Sequence, residues 1–485
     1  MTRWQSALDN NTAWLIAVML VFALQAALIL RHIPWLDEWQ ALLIVEQSPS
    51  LAALFENLRY EGHPPLWYGL LALLAGVIPF AQVLAAASLL VAAATQALIQ
   101  FRAPFSRLER LLLGLGEIAL FEFGTIARGL ALGALLMLAV AALWRSRWVW
   151  LAIALLPLTE FVFGVVALIF VALRWRERRE RRVPAAGLAL FLAAAAFAAW
   201  SVRPAADLVP AEHMVSWFVE VTDFVQRLGG LIVPFQMFDG RIAWDGFLPL
   251  GIGGLFGGLF LLWMAQRYAD NRAFAASVFG LIALCFVMSL AIYPLHFRHL
   301  TVIGWLVVVL TWIRPPAALR EAARWRAWLA LGAVCGIAGA GVALTHPFDA
   351  APRIVTEIQR RDDGRHPWLV FPATRVPPLA ALARRGFHVP SRGCDVTFVR
   401  WNQPHEPSTA RPLRAAMEQW AQRYGESYLI LERYPLNPPA SVFRPLTKTI
   451  RGYDGQRYVI GLLGPGRPIK PLPARPCVAQ AKPLR

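Results

Sequence analysis

The sequence predicts an α-helical polytopic membrane protein of about eleven spans, followed by a small extracytoplasmic α/β domain. Three observations predict it. Of 485 residues, 58% are hydrophobic and only 16% charged, a balance foreign to ordinary soluble enzymes and to disordered chains. Apolar windows long enough to approach the roughly 20 residues a spanning helix needs recur as far as about residue 344 and then stop. Arginine-rich segments alternate with acidic ones through the same region, as the loops on two sides of a membrane do.

The windows fall at 12–31, 81–100, 109–124, 129–144, 148–160, 161–173, 184–201, 247–265, 273–291, 300–313 and 327–344. The first begins at Thr12, is too long for a signal-peptide core and lacks a small-residue cleavage site, so it is expected to remain as a span. Residues 65–80 (PLWYGLLALLAGVIPF) are also apolar, but prolines bracket them, and they are read as a helix lying in the interface. With that reading the cytoplasmic segments hold 18 Arg against six acids, and the rest of residues 1–344 holds seven Arg against 14 acids. The N-terminus is then cytoplasmic, and an odd number of spans sends the tail outside. The expected location is a bacterial inner membrane, with the tail domain periplasmic.

Beyond residue 345 the composition shifts to Pro, Arg and polar residues, with 22 basic residues against 10 acidic ones. Strand-like runs at Trp368 to Phe371, Val396 to Trp401, Tyr428 to Leu431 and Tyr458 to Leu463 alternate with helical stretches at 378–386 and 411–424. Residues 345–485 therefore read as a soluble α/β domain ending in a Pro-rich tail. Cys394 and Cys477 either pair, as an oxidising compartment allows, or remain two thiols. Cys285 and Cys335 lie in apolar runs and read as buried thiols. The formal charge of +17 is thus divided among loops and tail, and a nucleic-acid partner is not expected.

The outer loop 32–64 is acidic. Asp37 and Glu38 follow the first span in HIPWLDEWQ, flanked by Trp35 and Trp39 as interface anchors. His63 sits in YEGHPPLWYG, where two prolines impose an extended entry into an apolar helix. Arg128 lies on a short outer loop (EFGTIARGLAL), and Glu117 lies within an apolar run, where an ionisable group is costly. Glu117 and Glu122, on the preceding span and its exit, are equally placed to be structural partners of Arg128. Tyr293, His296, Arg298 and His299 form a second constellation in AIYPLHFRHLTV. The loop from Arg203 to Gly246 carries an amphipathic stretch with Glu212, His213 and Asp223, whose spacing makes no metal site.

Asp-Glu after the first span, Gly-His-Pro-Pro-Leu-x-Tyr some 25 residues on and the short outer Arg loop together resemble the GT-C superfamily of integral-membrane glycosyltransferases. The branch they are most similar to contains the protein O-mannosyltransferases and aminoarabinose transferases. The resemblance covers residues 1 to about 140, weakens towards 300 and is absent from the tail. It implies a GT-C-like catalytic domain over 1–344, with a first outer loop at 32–80, and a polyprenyl-phosphate sugar as donor used on the outer face. It also implies Asp37 as catalytic base, with Glu38 orienting it or binding acceptor, and a cavity lined by His63 and Arg128. Arg298-His299, with Tyr293, takes the place of an Arg-Tyr element that faces the donor phosphate, and departs from it. Glycosyl transfer asks for the same groups, a base for the incoming hydroxyl and cations for the departing phosphate.

No cofactor is implied. The first loop has no DxD and so gives no support for a divalent metal. The expected partners are the lipid-linked sugar, membrane lipids, and an acceptor (glycan, lipid or protein) that the sequence does not name. Two readings compete with a transferase: a transporter or flippase of a lipid-linked saccharide, which would call for repeated halves that the sequence lacks, and a non-catalytic scaffold, which leaves Asp37, His63 and Arg128 unexplained.

Overall fold

The computed structural model describes residues 10–177, 184–209, 216–234, 250–293, 295–315, 319–402, 410–432, 441–452, 455–468, 475–478 and 484. The chain divides into two compact units. The first comprises residues 1–32, 62–203 and 213–345; the second comprises 33–61, 204–212 and 346–485.

The first unit is helical: α1 (Asn11–Arg31), then α4 to α15. These are Leu66–Ala75, Phe80–Ala97, Arg107–Gly114, Gly129–Ala142, Val149–Leu155, Phe161–Glu177, Ala185–Ser201, Trp217–Gly229, Leu250–Arg267, Arg272–Ala291, Phe297–Ile313 and Leu319–Thr345. Among the described residues four helical stretches are long and apolar enough to cross a membrane: Asn11–Arg31, Phe80–Arg102, Arg272–Ala291 and Arg320–Thr345. Shorter apolar helices stand beside them, and the chain is a membrane protein. α4 has ten residues, which rise about 15 Å, half the hydrocarbon thickness. α14 is buried from Phe297 to Trp312 with the exception of His299, as a helix apolar on all sides must be. Trp305 in its middle donates its indole N–H to the Ala134 carbonyl at 3.0 Å.

The window 109–124 is not one helix. α6 stops at Gly114, a π-helical turn occupies Ile118–Glu122, and an irregular stretch leads to α7. Side chains of a neighbouring helix satisfy the exposed backbone, as buried irregular chain requires. Gln25 on α1 donates to the Leu120 carbonyl at 2.9 Å and to the Thr125 hydroxyl at 3.3 Å. α15 crosses the break at Gly336, where a Cβ would come within 2.1 Å of the Leu115 carbonyl oxygen.

The second unit contains α2 (Leu36–Gln47) and α3 (Leu51–Glu61), which lie in the stretch read from the sequence as a loop. With them are α16 (Ala351–Arg361), α17 (Val376–Ala383), α18 (Ala410–Tyr424) and seven strands. The strands are β1 (Trp368–Phe371), β2 (Phe387–Val389), β3 (Cys394–Val396), β4 (Gly425–Glu432), β5 (Phe443–Pro445), β6 (Ile450–Arg451) and β7 (Arg457–Pro468). Their order is β3-β2-β1-β4-β7-β5, with β6 also on β7. β1 is parallel to β2 and β4, and the remaining pairs are antiparallel.

The period-two alternation of a strand divides the core. Trp368, Val370, Ile430 and Ile460 meet Ile354 and Ile358 of α16 and Leu379 of α17 on one face. Leu369, Phe371, Leu429, Leu431 and Val459 meet Met417 and Trp420 of α18 on the other. The result is a sheet between helices. The run expected as a strand from Val396 to Trp401 pairs only to Val396, and the next residues are irregular. A Cys394–Cys477 disulfide fastens the tail to β3, with the Cα atoms 5.1 Å apart. Cys285 and Cys335 are free and buried.

Candidate active site

In the first unit, Gly62 turns the chain at φ +70°, and the two prolines deliver His63 to the start of α4. Its ring Nδ1 lies 2.6 Å from Oε2 of Glu160. Glu160 is buried, at 7% exposure, between the 3-10 turn Leu156–Leu158 and α9. The first residue of α7, Gly129, makes room for it. A Cβ there would come within 2.8 Å of Glu160 Oε1 and 3.0 Å of the Thr159 carbonyl.

Arg128, in extended conformation, is the cap residue of α7 and is buried. Arg298 is buried in the first turn of α14. The side chains of Arg298, Arg128, His296 and His63 all lie within electrostatic range of the His299 ring. The His299 Nδ1 accepts the His296 backbone N–H at 3.1 Å, and the Tyr293 hydroxyl lies 3.0 Å from His296 Nε2. The ring centroids of Tyr293 and His296 both lie 6.1 Å from that of His299. His63, Arg128, Arg298, His299 and Tyr293, the outermost of them 236 positions apart in sequence, therefore belong to one cluster.

A buried network braces this turn. Glu220 on α11 accepts from the Ser289 hydroxyl and from Arg227 at 3.4 Å. Arg227 also donates to the Leu295 carbonyl at 2.8 Å, and the Leu295 N–H donates to Ser289 at 2.9 Å. The two backbone groups of Leu295, three residues before Arg298, are thereby fixed from α11 and α13.

Glu117 occupies a different place, an apolar cavity lined by Leu113, Ile118, Trp305, Val308 and Trp328. That lining includes none of His63, Arg128, Glu160 or Arg298. Glu122 is buried in the π-helical turn. Asp37 and Glu38 are in the second unit, in the first turn of α2. Glu38 is fully buried, and its carboxylate accepts the Trp35 backbone N–H at 3.0 Å, satisfying one of the donors that a helix start leaves open. Asp37, beside it, is partly exposed. The positive end of the helix favours both carboxylates.

Glu160 is the residue that sequence reasoning missed. It sits at the join of two adjoining apolar windows, 148–160 and 161–173, and the signal is an acid on the short turn between them. Glu212 and His213 lie outside the described residues. Asp223 is on α11, 3.7 Å from Arg227. Among the described residues no group of three or more His, Cys, Asp or Glu side chains has the arrangement of a metal site.

Among solved structures, the chain is similar to ArnT from Cupriavidus metallidurans in the apo state, at 15% identity over 94% of this chain and 99% of that one, with a TM-score of 0.46. The same protein bound to undecaprenyl phosphate matches at 13% identity over 94% and 100%, TM-score 0.40. The arabinofuranosyltransferase AftD from mycobacteria matches at 15% over 94% of this chain and 40% of that one, TM-score 0.41. Both proteins are GT-C superfamily membrane glycosyltransferases. A scan of protein-family models and a search of curated proteins returned no match.

Proposed function

We propose that the chain is a hexosyltransferase-type glycosyltransferase that moves one sugar from a polyprenyl phosphate to an acceptor on the outer, periplasmic face of the membrane. In this reading about eleven segments cross the bilayer, the N-terminus is cytoplasmic and the C-terminal domain is outside. The cluster of Arg128 and Arg298 with the His63–Glu160 pair carries the reading: two buried guanidiniums and a carboxylate-anchored imidazole, on chain segments that the arginine alternation assigns to the outer side. The Cys394–Cys477 disulfide supports an oxidising compartment for the tail.

The chemistry divides by residue. The acceptor hydroxyl gives its proton to the Asp37 carboxylate, and its oxygen bonds to the anomeric carbon from the face opposite the phosphate. The bond from that carbon to the phosphate oxygen breaks, its electron pair leaves on the polyprenyl phosphate, and the configuration inverts. Arg128 and Arg298 take up the charge that develops on the leaving phosphate, since a guanidinium presents a fork of donors to two oxygens at once. Glu160 accepts from His63 Nδ1–H and so fixes the ring tautomer, which leaves Nε2 for the substrate. Glu38 orients the start of α2 beneath Asp37. No metal enters the scheme.

The test uses the purified protein in nanodiscs with a panel of polyprenyl-phosphate sugars, following release of the polyprenyl phosphate and the anomer of the product. The expected result is donor consumption with inversion, and a fall in kcat of about 10²–10⁴ for Asp37→Asn, the range of a lost general base. Undiminished transfer by Asp37→Asn removes the base assignment. A donor panel left wholly unconsumed overturns the transferase reading.

A further inference from the structure

The helices that carry and follow Asp37 are bound, within the second unit, to a short irregular stretch of the C-terminal domain. Gln40 on α2 treats Val399 as a neighbouring strand would: its amide N–H donates to the Val399 carbonyl at 2.7 Å, and its amide oxygen accepts the Val399 N–H at 2.9 Å. Gln47, two helical turns further on the same face, accepts from the Thr397 hydroxyl at 2.8 Å. Arg400, on the alternate side of the stretch, places two donors on the Asn57 amide oxygen of α3 at 3.0 and 2.6 Å. Its guanidinium also lies 5.0 Å from the centre of the Tyr60 ring.

At the other end of α2, Arg384 grips Glu46 with both guanidinium nitrogens, at 3.2 and 2.5 Å. α17, which precedes Arg384, packs along α2. The stretch is held from behind. β3 leads directly into it, and the tail is laced to β3 by Asp395 N–H to the Arg475 carbonyl at 2.7 Å, Cys477 N–H to the Asp395 carbonyl at 2.9 Å and the disulfide.

The pattern is specific rather than adhesive. Buried backbone groups of Val399 are completed by one side chain 359 positions away in sequence, and an exposed amide at the same place would serve water as well. The irregular course of residues 397–402, where the alternation in sequence predicts strand, follows from the same fact. The backbone groups that a sheet partner would bond are taken instead by Gln40 at Val399, by the Arg392 guanidinium at the Arg400 carbonyl, 3.0 Å away, and by the Val209 N–H at the Trp401 carbonyl, 2.9 Å away.

We infer that the C-terminal domain is a clamp that fixes the helix bearing Asp37, and that Gln40, Glu46, Asn57, Arg384 and Arg400 are positioning residues for the proton-accepting step. The inference rests on the base role given to Asp37 above. A displaced carboxylate costs rate rather than donor affinity, and displacements of about 1 Å reach on the order of 10²-fold.

The experiment compares wild type, Gln40→Ala, Glu46→Arg, Arg384→Glu and the double exchange Glu46→Arg/Arg384→Glu, all as full chains in nanodiscs. For each, kcat and KM for the lipid-phosphate sugar are measured beside amide hydrogen exchange. The single variants are expected to lose at least tenfold in kcat with KM unchanged, and to exchange faster over residues 36–61 while 66–142 keeps its wild-type protection. The double exchange restores both, which separates positioning from general damage to the fold. Single variants with fast exchange and wild-type kcat overturn the positioning role, and single variants with unchanged exchange overturn the clamp. If wild type consumes no donor, the transferase reading and the positioning role fall together, and the exchange arm alone decides the clamp.

Discussion

Two ion pairs, one in each unit, hold their charges by different means. In the first unit, ion pairs are sunk among apolar helices: Glu220 at 1% exposure with Arg227 at 8%, and Arg267 at 3.2 Å from Glu321. In the second, charges and amides also reach across from one chain segment to another at partial exposure, as Arg384 does to Glu46, whose side chains are 29% and 22% exposed. A buried pair is bound less by its attraction than by the penalty for leaving one partner alone. A partly exposed pair contributes little to stability, and its bidentate contact still fixes the geometry of the two segments. The Glu220–Arg227 pair is therefore structural, whereas the Arg384–Glu46 pair can be altered at small cost in stability.

The largest expected effect breaks the comparison at its buried end. Arg227→Ala strands the Glu220 carboxylate and releases the Leu295 carbonyl, so it is expected to destabilise the first unit by about 3–5 kcal/mol. Arg227→Ala/Glu220→Ala, which removes both charges, should recover a large part of that loss. Thermal unfolding in detergent, read by tryptophan fluorescence, measures both. Near-equal loss in the two variants would mean that the packing of α11, and not the stranded charge, decides stability there.

Second in size is the disulfide. Its ends are 83 residues apart, for which the chain-entropy estimate is about 4.5 kcal/mol, an upper figure beside the roughly 2–4 kcal/mol typical of disulfides. Cys394→Ser/Cys477→Ser should lower the unfolding midpoint of the second unit and leave that of the first unchanged. A common shift of both midpoints would show that the units unfold as one.

The smallest effect is a pH dependence at the edge of the clamp. Tyr60 donates to Asp207 at 2.7 Å. Burial and this bond raise the phenol above its ordinary value, while the bond from Tyr60 holds the Asp207 carboxyl below the usual carboxylate range. The phenol's contribution is whole below about pH 10 and is lost as pH rises through its folded value, because the unfolded chain ionises first. The carboxylate's contribution is present above about pH 4 and is lost as pH falls through its folded value. Tyr60→Phe should flatten the alkaline limb of hydrogen-exchange protection over residues 51–61. An unchanged alkaline limb would assign it to another group.

How far the sequence could be read follows from the range of the forces involved. Strands β1, β4 and β7 and helices α17 and α18 were readable because period and turn chemistry are local. α16 carried the same kind of signal in Ile354, Val355 and Ile358, spaced for one helical face, and was passed over beside its many charges. The break at 115–117 was hidden because hydropathy does not register that Gln25, nearly a hundred positions earlier, can cap a carbonyl. His63, Arg128 and Arg298 could be chosen singly by residue type and side of the membrane. Glu160 could not be paired with His63 without knowing that Gly129 leaves space for it. The grip of residues 397–402 on α2 and α3 was out of reach for the same reason: amide pairs have no sequence periodicity.

That grip also sets an order of events in the making of the protein. Gln40 is synthesised 359 residues before Val399, which at about 5–20 residues per second is an interval of roughly 20–70 s. For all that time α2 presents Trp39, Leu42 and Leu43, apolar side chains that end buried, while the whole membrane unit is still being threaded. The chain must carry α2 through biogenesis without its partner, so a segment made early is completed by one made some 359 residues later.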